Sequence, residues 1–110
     1  MNNNNKVYSY LGFAAKSRNI VSGYNTCLMM IDRNKAKLII ITEDMADNTV
    51  KKMVQKCTSK SIEYRIFGDA DVISQTIGKS GKGLFCITDQ HFAEIICKEI
   101  DQIQSEREVF

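Results

Sequence analysis

The chain has 110 residues, 44% of them hydrophobic and 25% charged, with four cysteines, no proline and a formal net charge of +2. That is enough for one domain with its own core and too little for two. No apolar run approaches the roughly 20 residues that cross a bilayer. The polar start, Met1 to Asn5, lacks the basic and apolar regions of an export signal, so the expected location is the cytoplasm.

After a polar tail over residues 1–5, Lys6 to Lys16 has the spacing of a helix, with Val7, Leu11 and Ala14 on one side. An extended piece, Asn19 to Ser22, follows. A second helix opens at Gly23 and runs to about Asn34, with Tyr24, Cys27, Leu28 and Ile31 as its core stripe. Ala36 to Thr42 contains Leu38-Ile39-Ile40-Ile41 and predicts a central strand buried on both faces. A third helix spans Asp47 to Lys60. Val50, Met53, Val54 and Cys57 face inward there, and Lys51, Lys52 and Lys56 outward. Ile62 to Phe67 is the next strand, Ala70 to Ile77 a short helix, and Leu84 to Thr88 another strand. The loop between the last two, Gly78 to Gly83, is glycine-rich and carries Lys79 and Lys82. A final helix begins at Asp89, with Phe92, Ile96, Ile100 and Ile103 facing in, and frays after Gln104. This alternation predicts one domain over residues 6–104, a tail over 105–110, and an α/β three-layer sandwich.

Little in the chain suggests catalysis or metal binding. Cys27, Cys57, Cys86 and Cys97 form no C-x-x-C pair, and His91 is the only histidine. Buried free thiols are expected, and no metal. Thr42-Glu43-Asp44 follows the central strand and reads as an acidic helix-initiating turn. Gly78-Lys79-Ser80 hints at a phosphate loop, but Ile73 stands where that motif needs another glycine. The loop also enters a strand instead of opening a helix. No nucleophile–base pair is visible, so neither an enzyme nor a cofactor is expected.

The charge is unevenly spread. From Met1 to Lys37 there are six basic residues and one acidic, giving +5; the remainder has nine basic and twelve acidic, giving −3. Such asymmetry suits a localised basic surface.

Several segments, in order, carry a resemblance. They are Leu11-Gly12-Phe13-Ala14-Ala15-Lys16-Ser17-Arg18, Ile20-Val21-Ser22-Gly23, Lys35 to Asp44, Asn48-Thr49-Val50-Lys51-Lys52, Phe67-Gly68, Ile77-Gly78-Lys79 and Cys86-Ile87-Thr88-Asp89. Over about four-fifths of its length the chain resembles the kink-turn-binding large-subunit ribosomal protein family, above all its small bacterial YlxQ-like branch. The resemblance implies a mixed sheet of about four strands between helices. It also implies RNA binding through the start of the second helix, the start of the short fourth helix and the loop before the last strand. The family's reading segment, G-x-N-E-x-x-K, falls on Gly23-Tyr24-Asn25-Thr26-Cys27-Leu28-Met29. Thr26 replaces the glutamate and Met29 the lysine. The fourth-helix motif, E-L-G-x-A-x-G, falls on Val72-Ile73-Ser74-Gln75-Thr76-Ile77-Gly78, where Val72 replaces the glutamate and Ser74 the first glycine.

The RNA-binding residues expected on this basis are Gly23, Tyr24, Asn25, Thr26, Met29, Ile73 and Ser80, with Lys16, Arg18, Arg33, Lys79 and Lys82 as phosphate contacts. The expected function is binding of a kink-turn or related structured RNA, associated with ribosome or translation components, with specificity changed where the motifs depart. The alternative is a protein-interaction module on the same scaffold, with exposed Met29, beside Met30, as the sticky contact.

Overall fold

The computed structural model describes residues 4–107. The elements are α1 (Asn4–Lys16), β1 (Ile20–Ser22), α2 (Tyr24–Asp32), β2 (Leu38–Ile41), α3 (Asp47–Ser59), β3 (Tyr64–Ile66), α4 (Ala70–Thr76), β4 (Leu84–Ile87) and α5 (Gln90–Arg107). The strands form one sheet in the order β1-β4-β2-β3. β2 runs parallel to β3 and antiparallel to β4, and β1 is antiparallel to β4, so the sheet is mixed.

The two central strands explain the layers. Every residue of β2 and β4 is buried, and successive side chains of a strand point to opposite faces. Leu38, Ile40, Phe85 and Ile87 enter one core with Val7, Leu11, Ile73, Ile96 and Ile100. Ile39, Ile41, Leu84 and Cys86 enter the other with Cys27, Ile31, Met53 and Cys57. Helices α1, α4 and α5 therefore cover one face, and α2 and α3 the other. This is the α/β three-layer sandwich the sequence predicts. Each fully buried isoleucine or leucine contributes about 1.5–3 kcal/mol by leaving water.

Three helices end at a residue in left-handed conformation: Arg18 (φ 61°) after α1, Asn34 (φ 59°) after α2 and Ser61 (φ 57°) after α3. Such an end turns the chain sharply and lets late amides bond helix carbonyls, as Asn19 does to Ala14 at 2.7 Å and Lys35 to Met30 at 2.9 Å.

Some boundaries differ from the sequence reading. α1 begins at Asn4, inside the expected tail; residues 1–3 and 108–110 lie outside the described part. α5 continues to Arg107 instead of fraying after Gln104. No glycine or proline stops it, and the Gln104 amide donates to the Ile66 carbonyl at 2.8 Å, tying that turn to β3. Tyr24, expected in the core stripe, is exposed. It is the first residue of α2, at the open end of the helix, and 36% exposed.

Candidate nucleic-acid interface

The β1–β4 ladder sets the geometry. Ser22 pairs with Phe85, and the Gly23 amide continues the ladder by donating to the Leu84 carbonyl at 2.9 Å. An antiparallel register carried one step further brings the residues before Leu84 against the start of α2. The Lys82 ammonium accordingly lies 3.9 Å from where a Cβ on Gly23 would stand. Two segments about sixty positions apart in sequence thus form one surface.

Gly23 is the N-cap of α2, at φ 103° and ψ 151°, a conformation that is essentially glycine's alone. No side chain caps the helix. Its first intrahelical bond runs from the Cys27 amide to the Gly23 carbonyl at 2.9 Å, so the amides of Tyr24, Asn25 and Thr26 point outward, as first-turn amides do. Tyr24 and Asn25 are exposed and Thr26 is half-buried. The arrangement offers orphan donors, the positive end of a helix dipole and an adjacent ammonium. An anion with planar neighbours fits it.

The α4–β4 loop is held by Ser74. Its buried hydroxyl donates to the Lys82 carbonyl at 2.9 Å and accepts from the Lys82 amide at 3.0 Å. The Lys79 amide donates to the Ser74 carbonyl at 2.7 Å. Gly78 and Gly81 both have positive φ, 77° and 68°. Between these anchors Lys79, Ser80 and Lys82 are exposed. From the sequence Ser74 reads only as a departure from a motif, and this clamp is not visible there. The available signal was a lone hydroxyl beside Ile73 in an otherwise apolar stripe.

A cleft runs beside this loop, and Arg18, Ser22, Ile77, Gly78 and Lys79 are among its lining residues. Arg18 and Lys79 therefore share one surface, with Ile77 as its apolar floor. Lys16 is exposed at the last turn of α1 but does not line that cleft. Arg33 is brought to neither group. It caps the opposite end of α2, about 15 Å from Gly23 at 1.5 Å per residue. Ile73 is fully buried in the core, so its side chain presents no surface to a ligand; the expectation of a contact there is corrected. Met29 is 38% exposed and shares a stripe of α2 with Asn25 and Arg33. Met30 instead packs against the core on the α2–α3 face.

The basic surface has an acidic border. Thr42 to Asp44 follow β2, the next strand over, and their role is structural. The Glu43 amide donates to the Gly68 carbonyl at 2.8 Å, and the Glu43 carboxylate accepts from the Gly68 amide at 3.1 Å. Asp44 accepts from the Ala70 amide at 3.2 Å. The Thr42 side chain beside Asp44, and then this amide, hold the Asp44 carboxyl below the usual carboxylate range. The Thr42 hydroxyl is buried and meets no acceptor in full hydrogen-bond geometry, so proximity is what it contributes. Exposed Glu43, Asp44, Asp69 and Asp71 repel polyanions from the β2–β3 half of this edge.

Elsewhere, Cys27, Cys57 and Cys86 are buried and free, and Cys97 is half-buried and free. Burial pushes the Cys27 and Cys86 thiols up to about 12 and Cys57 to about 11. Among the described residues no three potential ligands converge on a metal position, and no helix is long and apolar enough to cross a membrane.

The fold and this glycine-opened helix beside a basic loop define an L7Ae-type domain. The model of the Ribosomal protein L7Ae/L30e/S12e/Gadd45 family matches residues 5–97, and the chain belongs to that family. It is 33% identical over 94 residues to the RNA-binding protein YlxQ of Bacillus subtilis (strain 168), covering 86% of this chain and 94% of the relative. It is 30% identical over 93 residues to the RNA-binding protein YlxQ of Enterococcus faecium, covering 84% and 88%. Among solved structures, a protein of unknown function from Bacillus halodurans C superposes with a TM-score of 0.85 at 27% identity, over 87% of this chain and 97% of the other. The Giardia lamblia 15.5kD RNA binding protein shares the fold, with a TM-score of 0.75 at 20% identity, over 94% and 88%.

Proposed function

We propose that this chain is a cytoplasmic RNA-binding protein that grips a kink-turn or related bent RNA, associated with ribosome or translation components, with residues 6–104 acting as one binding domain. The observation that carries the reading is the uncapped start of α2 at Gly23, with the Lys82 ammonium beside it. Phosphate oxygens take the first-turn amides, and Asn25 meets base edges exposed by the bend. Tyr24 offers a ring for stacking. Arg18, Lys79 and Lys82 hold the backbone on either side, with Lys16 and Ser80 at the margins. Curated relatives named as RNA-binding proteins support the same reading.

A gel-shift titration with a kink-turn RNA and a straight duplex of equal length tests it. The kinked RNA should bind more tightly. Three cation–phosphate contacts on a largely double-stranded RNA give a log–log salt slope of about −3, at about −0.9 per phosphate. Asn25→Ala and Lys79→Ala should each weaken binding. Equal binding of both RNAs, or no retention at low salt, rejects the proposal. Cosedimentation with ribosomal fractions tests the translation link.

A further inference from the structure

A second basic surface lies away from the α2 entrance. Arg33 and Lys35 follow α2, and both are exposed. Lys52 and Lys56 of α3 and Lys60, its C-cap, recur every four residues, so they lie along one stripe. The two elements are tied together there. Lys56 donates to Asp32 at 2.8 Å. Lys56 first, and Lys60 as well, lower the Asp32 pKa, which places both near the end of α2. Asp32 thus has Lys56 in an ion pair and Lys60 nearby, with Arg33 next to it in the chain. The dipoles of two helix C-termini favour a cation each; five exceed that need and repel one another.

The patch is continuous with the proposed RNA site. Asn25, Met29 and Arg33 fall on one stripe of α2, four residues apart, leading from the entrance to the patch. From Asn25 to Arg33 that path is about 12 Å long. Bent RNA has two arms, and an arm that leaves the entrance along α2 has its backbone carried to these cations.

We infer that Lys52 and Lys56 of α3 and its C-cap Lys60, with Arg33 and Lys35, form a second phosphate-binding surface that takes the backbone of one stem of the bound RNA. This rests on the RNA-binding reading above. The charge absent at Met29 is then supplied further along the same stem, and the protein distinguishes long-stemmed from short-stemmed sites.

The test compares two kink-turn RNAs, one with that stem truncated at the kink and one with it extended, by fluorescence anisotropy. The variant is Lys52→Gln/Lys60→Gln, which leaves the Lys56–Asp32 ion pair in place. Wild type should bind the extended RNA about tenfold more tightly. The variant should lose that advantage, bind the truncated RNA as wild type does, and show a salt slope flatter by about 1 for each lysine. The charge-reversed Lys52→Glu/Lys60→Glu should bind the extended RNA less tightly than the truncated one. A thermal melt checks that both variants fold. If wild type binds both RNAs equally, or the variants weaken both alike, the second surface is rejected while the entrance site stands. If wild type binds neither RNA, both proposals fall.

Discussion

The Ser74 hydroxyl bridges the two backbone polar groups of Lys82, donating to its carbonyl and accepting from its amide. One buried side chain thereby closes an eight-residue span and sets where the Lys82 ammonium leaves the backbone. Ser74→Ala leaves both groups without that partner. Losing such bonds costs about 1–3 kcal/mol, so urea denaturation should show a lower midpoint with an unchanged slope. RNA affinity should also fall, because the loop no longer presents Lys82 to the α2 entrance. Ser74→Gly, which restores the family's motif residue, should not rescue either measurement.

Gly23 tests the entrance from the backbone side. A Cβ there meets nothing closer than 3.9 Å, so space does not forbid a side chain. The backbone does, at φ 103° and ψ 151°. Gly23→Ala should destabilise by about 1–3 kcal/mol and lower the melting temperature. The first-turn amides should shift with the relaxed backbone, so RNA binding should weaken in material that is still folded. A variant that melts earlier yet binds RNA unchanged would show that the amides do not contact the ligand.

The layers of the fold were legible because β2 and α3 carry strong periodic signals: four consecutive aliphatics in one, and apolar positions three and four apart in the other. The start of the site was legible too, since a glycine before Tyr24-Asn25 marks a helix opening. Which distant residues meet it was not. The partners of Gly23 are fixed by the pairing of Ser22 with Phe85, and nothing in the local sequence states that register. The family resemblance groups Arg33 with Lys82, yet the length of α2 separates them. Ile73 occupies a motif position, but the cores are filled from both sides of the sheet, and burial claimed it.

The thiols give a pH prediction with a definite sign. In the folded chain the pKa values of Cys27, Cys57 and Cys86 are raised by burial, whereas an unfolded cysteine titrates near 8.5. A raised folded pKa means that this contribution is fully present below the unfolded value. It is lost as pH rises through the range up to the folded values of about 11 to 12. Melting temperature should therefore decline above about pH 9, and replacing Cys27 with Ala should flatten that decline. Thiol labelling at pH 8 should modify half-buried Cys97 first and the other three only on unfolding.

Met29 offers the most direct repair of the RNA site. It is exposed, lies on the stripe between Asn25 and Arg33, and packs into neither core. Lysine and methionine have similar helix propensity, so Met29→Lys should leave stability within about 0.5 kcal/mol. A charge-assisted contact to phosphate or base contributes about 1.5–3 kcal/mol, which corresponds to a gain of about ten- to a hundredfold in affinity for a kink-turn RNA. The gain should shrink as salt rises, since it is electrostatic. Titration of wild type and variant at two salt concentrations separates the outcomes. A salt-sensitive gain places RNA along the outer face of α2. An unchanged affinity means that the ligand's path leaves the helix before its second turn, and the stripe from Asn25 to Arg33 is then not the route of the RNA.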